Sequence, residues 1–189
     1  RYYGHLRAAA LMGAGVVGTE TGAPTPEYKT DANTHPQAAL ESFIRGLAPV
    51  VECAERWGTA VAIAPVWKHI VYDADRALAV LDAVRSPCLR IILDPVNLLH
   101  AGNADGRERV IGDAMDKLAD HIAVVHLKDF VREGGELRAA AAGTGEMDYT
   151  GILRFLKARK PYVHATLENT TNDNAVQARE FLQRLYGTL

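Results

Sequence analysis

Ile122-Ala123-Val124-Val125-His126-Leu127-Lys128-Asp129 is the stretch that decides the fold. Its apolar residues fall on both sides of a strand instead of alternating, so both faces must be covered. The run then stops at charged residues. Four other runs read the same way: Gly15–Thr19, Ala60–Ala64, Leu89–Leu93 and Tyr162–Leu167. Amphipathic stretches of helical length separate them. Gln37–Trp57 sets Leu40, Phe43, Ile44, Leu47 and Val51 on one stripe, with Pro36 suited to the first turn. Asp75–Val84 repeats Leu78, Leu81 and Val84 behind a candidate cap, Asp73. Arg109–His121 carries Ile111, Met115 and Leu118, and Asp148 is placed to cap a helix with Ile152, Leu153, Phe155 and Leu156. Further helices are expected over Tyr3–Met12 and from Asn174 to Tyr186.

The order is therefore an α/β chain of βα repeats preceded by a helix, with strand starts about 30 to 45 residues apart. No linker or low-complexity segment divides residues 1–189, and one domain is expected. A doubly wound sheet would carry a glycine-rich phosphate loop after its first strand. Gly18-Thr19-Glu20-Thr21-Gly22 lacks the spacing, and Gly143-Thr144-Gly145 reads as a turn before a helix. The other architecture is a (β/α)8 barrel, which takes roughly 250 residues, so these 189 are about three units short. The chain opens directly into a helical pattern without an initial methionine, as though repeats preceded it.

Composition removes several functions. There are 21 basic and 23 acidic side chains, a formal net charge of −2 and no basic run, so neither nucleic acid nor an anionic membrane is an expected partner. No apolar stretch reaches the ~18 residues of a membrane span. Two cysteines, Cys53 and Cys88, make no disulfide framework, which points to a reducing, cytoplasmic setting.

The chemistry sits where strands stop. Glu20, Asp94, Asp129 and Glu168 each end an apolar run, and His126 lies inside one. A strand-end acid alone is commonly a cap for the next helix, and a lone strand histidine is commonly core. In a parallel α/β fold, however, the carboxyl ends of the strands share one rim. Four acids on one rim repel one another unless a cation intervenes, and carboxylates with one imidazole suit Mn, Mg, Co or Zn.

Leu93-Asp94-Pro95, Val125-His126-Leu127-Lys128-Asp129 and Thr166-Leu167-Glu168, in that order, resemble the xylose isomerase-like TIM barrels, in particular their sugar isomerases and ketose 3-epimerases. Ala64-Pro65-Val66-Trp67-Lys68-His69 adds to the match. The resemblance implies a TIM-barrel fold of which this chain covers about strands four to eight with their helices. It implies one divalent metal ion, with Asp94, His126 and Glu168 as ligands from strands six, seven and eight. Glu168 would also be the catalytic base, in proton transfer next to a metal-polarised carbonyl through an enediolate. The substrate would be a sugar or sugar phosphate.

Two positions depart from the family pattern. Ala64 stands where strand five would supply a second glutamate, and Asn97 where a histidine is expected. Asn97 keeps hydrogen-bonding capacity for a substrate hydroxyl but cannot titrate. Arg132 fits a family arginine that clamps substrate hydroxyls, and Glu20 is the carboxylate available to stand in for the absent glutamate. The alternative is a truncated or degenerate member that binds a sugar or metal without catalysis. The DNA-repair branch of the superfamily is disfavoured by the net charge and by histidines not set in ligand pairs. Sheet edges left open by absent barrel units lead us to expect a homo-oligomer.

Overall fold

A computed structural model describes residues 1–25 and 29–189, which form two compact units. The first holds Arg1–Ile92 and Asp120–Ala123, the second Leu93–Ala119 and Val124–Leu189.

In the first unit the order is α1 (Tyr2–Met12), β1 (Val16–Glu20), α2 (Gln37–Trp57), β2 (Ala60–Ala64), α3 (Ala74–Val84) and most of β3 (Leu89–Leu93). Strand β1 runs parallel to β2, from Val16 opposite Ala60 to Glu20 opposite Ala64, and β2 runs parallel to β3 from Val61 opposite Leu89. Val61, Ala62, Ile63 and Ala64 are all buried, as expected of a strand covered on both faces. β1 is not: its residues are half-buried or exposed, and it extends one residue further than expected, taking in Glu20. Leu40, Leu47 and Val51 form the buried stripe of α2, while Phe43 and Ile44 are half-buried. Pro36 occupies the cap of α2, not its first turn, with an extended ψ of 154°. Asp73 caps α3 as anticipated, accepting from the Arg76 N–H at 2.9 Å.

The second unit contains α4 (Arg107–Leu118), most of β4 (Ile122–Leu127), β5 (Asp129–Glu133), β6 (Glu136–Ala140), α5 (Thr150–Arg159), β7 (His164–Leu167) and α6 (Ala175–Thr188). β4 and β7 are parallel, with Val124 opposite His164 and Leu127 opposite Leu167. β7 starts two residues later than its apolar run, because Tyr162 is 94% exposed and outside the ladder. Its side chains are mostly exposed, so it lacks the two-faced burial expected from its composition. Asp148 accepts from the Thr150 N–H at 2.8 Å, with Tyr149 at the cap position of α5.

The β5–β6 hairpin lies where the sequence pattern places no element. It turns at Gly134 and Gly135, whose φ of 60° and 83° are backbone states that other residues rarely adopt. Among the described residues, no helix is long and apolar enough to cross a membrane.

Candidate metal centre

The site is built at the ends of three strands. Asp94 follows β3 directly and opens a short 3-10 turn, Val96–Leu98. Its Oδ1 accepts from the Val96 and Asn97 N–H groups, both at 3.1 Å, which fixes the carboxylate and leaves Oδ2 for other partners. His126 lies next to last in β4, and its strand neighbour across the ladder is Thr166. Two residues on, the period of a strand brings Lys128 to the same face as His126 and Glu168 to the same face as Thr166. The Glu168 N–H donates to the Leu127 carbonyl at 3.1 Å, so backbone pairing carries on past β7 and sets Glu168 beside Lys128.

These side chains meet closely. His126 Nδ1 is 2.8 Å from Glu168 Oε1 and 3.5 Å from Asp94 Oδ2. Lys128 Nζ lies 2.8 Å from Asp94 Oδ2, 2.9 Å from Glu168 Oε2 and 2.8 Å from Asn97 Oδ1. Asp94 is fully buried and Lys128 nearly so, whereas the Glu168 side chain keeps 34% of its surface exposed. Burial pushes the Asp94 carboxyl up, but His126, Lys128 and the Asn97 N–H together outweigh it and hold it below its ordinary value. For Lys128, burial lowers the pKa and the Asp94 and Glu168 carboxylates more than reverse that, so it is raised.

Asp94, His126 and Glu168 each offer a ligand atom, and these atoms lie within 4.8 Å of one another. Two carboxylates and an imidazole form a donor set that suits a hard or borderline divalent ion. The residues therefore fit a metal, and these three would hold it.

The other expected site residues are placed differently. Asp129 does not join the cluster. Its carboxylate accepts from the N–H groups of Phe130 and Met147, both at 2.9 Å, and of Gly143 at 3.1 Å. Fully buried, it braces the hairpin and the following loop, which corrects its expected place on a shared acidic rim. Gly145 packs so tightly there that a Cβ would collide with the Phe130 carbonyl and the Asp129 carboxylate. Asn97 touches the cluster through Lys128. Arg132, on β5, pairs with Asp105 at 2.5 Å and Glu146 at 3.1 Å on an exposed surface. Glu20 belongs to the first unit, 60% exposed, 3.7 Å from His69 Nδ1. It borders a cleft of about 580 Å³ with Tyr2, Thr19, Phe43 and His69. Ala64, buried opposite Glu20 in the register, supplies no carboxylate.

Two residues of this region carry no expectation from the sequence. Lys128 is one, although its spacing of two from His126 is a usable signal. The other is Tyr149, fully buried, whose hydroxyl donates to the Lys128 carbonyl. Burial, then the Asp129 and Asp94 charges, raise its phenol far above the ordinary range.

Comparison with known proteins bears on the fold. A search among curated protein sequences gives no match. Among solved structures, a D-tagatose 3-epimerase-like protein superposes with a TM-score of 0.76 at 18% identity, covering 98% of this chain and 67% of that one. A xylose isomerase domain protein from Planctomyces limnophilus gives 0.69 at 20% identity, covering 97% and 63%. A xylose isomerase-like TIM barrel protein from Mycobacterium smegmatis, in complex with magnesium, gives 0.68 at 16% identity, covering 99% and 66%. At such identities the likeness establishes the fold alone, and the chain spans about two thirds of these structures or slightly less. The family model for xylose isomerase-like TIM barrels matches residues 2–185, and this chain belongs to that family.

Proposed function

We propose that this chain carries the metal-binding part of a sugar or sugar-phosphate isomerase or epimerase. In this reading the five parallel strands correspond to strands four to eight of the barrel. The observation that carries it is the convergence of Asp94, His126 and Glu168 to within 4.8 Å of one another. A divalent ion held there would polarise a substrate carbonyl or hydroxyl. Glu168 is the base. It follows the last strand and keeps part of its surface exposed, so its carboxylate can take a proton from the carbon next to a carbonyl. Delivery of that proton to the former carbonyl carbon of the enediolate, as the neighbouring hydroxyl gives up its own proton to the former carbonyl oxygen, completes an isomerisation. Asp94, fully buried and held by two backbone N–H groups, stays ionised and orients the centre without exchanging protons. Asn97 presents its amide to a substrate hydroxyl, and Arg132 supplies a further polar contact.

Metal content and isomerisation of a panel of ketoses and their phosphates test this reading. Glu168→Gln is expected to lower turnover by roughly 10²- to 10⁴-fold while Mn²⁺ remains bound more weakly. Full turnover in Glu168→Gln overturns its role as base. A second reading, binding without catalysis, draws on Ala64, which leaves Glu168 as the sole proton-exchanging acid among the described residues of the cluster. Metal binding with no turnover of any ketose favours that reading.

A further inference from the structure

We infer that the Lys128 ammonium and a divalent ion are alternative occupants of the Asp94 and Glu168 oxygens, so that an ion enters only as the lysine leaves. This rests on the metal reading proposed above.

The contacts of Lys128 are those of a resident cation. An ammonium has three N–H donors, and here three oxygens lie at 2.8 to 2.9 Å: Asp94 Oδ2, Glu168 Oε2 and Asn97 Oδ1. Two of these belong to the carboxylates of the ligand set. The oxygen Asp94 can offer an ion is Oδ2, the one that faces Lys128, since Oδ1 accepts from the Val96 and Asn97 N–H groups.

Charge leads to the same conclusion. Two carboxylates and a neutral imidazole carry −2, which a divalent ion alone cancels. With the ammonium also in place, the buried cluster would hold a net +1 and two cations would contact the same carboxylates. Low polarisability around the fully buried Asp94 makes that repulsion strong. The lysine has the means to withdraw, because its stem has four rotatable carbon segments and its charge is strongly hydrated once in water. With Lys128 in place the cluster carries −1, and loading exchanges that single charge for a divalent one that cancels the −2 of the carboxylates.

The experiment titrates the full chain with Mn²⁺, following binding by calorimetry and by the paramagnetic signal of the free ion. It compares the parent with Lys128→Met and Lys128→Gln. Either variant is expected to bind Mn²⁺ on the order of tenfold more tightly or better, and to gain more thermal stability from the ion than the parent does. Equal or weaker binding in the variants, with the parent binding normally, overturns the exchange and leaves the metal reading standing. No binding by any chain overturns both. Should the variants fail to fold, the parent decides: in ¹⁵N-lysine spectra, saturation with diamagnetic Zn²⁺ is expected to shift the Lys128 ammonium signal to that of a water-exposed lysine. An unchanged signal overturns the proposal.

Discussion

Asp94 and Asp129 each follow a buried strand run, yet only one is available for chemistry. After β3 the chain makes a tight turn that engages a single oxygen of Asp94 with two N–H groups, and the second oxygen faces Lys128 and His126. After β4 it makes a hairpin and a doubling-back loop, which bring three N–H groups onto the carboxylate of Asp129. A strand-end acid is therefore free to act only when its own turn leaves one carboxylate oxygen unused. Both carboxylates are fully buried, so burial alone does not separate the two roles.

The sharpest way to break this comparison is to truncate each acid. Asp94→Ala leaves Lys128 nearly buried without its closest counter-ion, which is expected to cost about 3–5 kcal/mol and to abolish any ion-induced rise in melting temperature. Denaturant unfolding with and without Mn²⁺ measures both. Asp129→Ala strands three N–H donors at the hairpin, at about 1–3 kcal/mol, but is expected to keep the ion-induced rise. Loss of the rise in Asp129→Ala would show that the hairpin brace is part of the metal site after all.

Acidity sharpens the contrast further. The Asp94 pKa is lowered on folding, so its contribution to stability is complete above the unfolded carboxyl value of about 4 and is lost as pH falls through the lower folded value. Thermal melts are expected to drop in that acid range for the parent and to drop less steeply for Asp94→Asn. The raised Lys128 pKa acts oppositely, with its contribution complete below the unfolded lysine value and lost as pH climbs through the folded one. The smallest effect belongs to Glu20→Gln. This carboxylate is 60% exposed and 3.7 Å from its partner, so a change of less than about 0.5 kcal/mol is expected in unfolding. A larger loss would mean that Glu20 has a partner more binding than His69.

What could be read from the sequence follows from where local pattern and tertiary packing agree. The unbroken apolar run of β2 is buried from Val61 to Ala64, and Asp73 caps α3 because its partner Arg76 lies three residues on. The shared rim of parallel strand ends made Asp94, His126 and Glu168 legible together with Glu20 and Asp129, and the resemblance to the sugar isomerases singled out those three. The reading fails where a residue's partners come from elsewhere. Asp129 looks like Asp94 until Gly143 and Met147 fold back onto it, and nothing in the pattern before Gly134-Gly135 announces a hairpin. Lys128 is masked by composition, since a lysine after a buried strand normally reads as a solvated end, yet here two carboxylates and an amide draw it inside.

The Tyr149 hydroxyl on the Lys128 carbonyl has a consequence for rate. With that carbonyl tied down, and with the next residue's carboxylate holding the loop, the backbone at Lys128 has little freedom to travel. Movement of its ammonium is thereby confined to torsions of the side-chain stem and needs no lid opening, an event of microseconds or longer. A cluster wired this way exchanges its cation without waiting for a lid. Its loading is then paced by how quickly the arriving ion sheds water, and Mg²⁺, which dehydrates reluctantly, would be slower to settle than Mn²⁺.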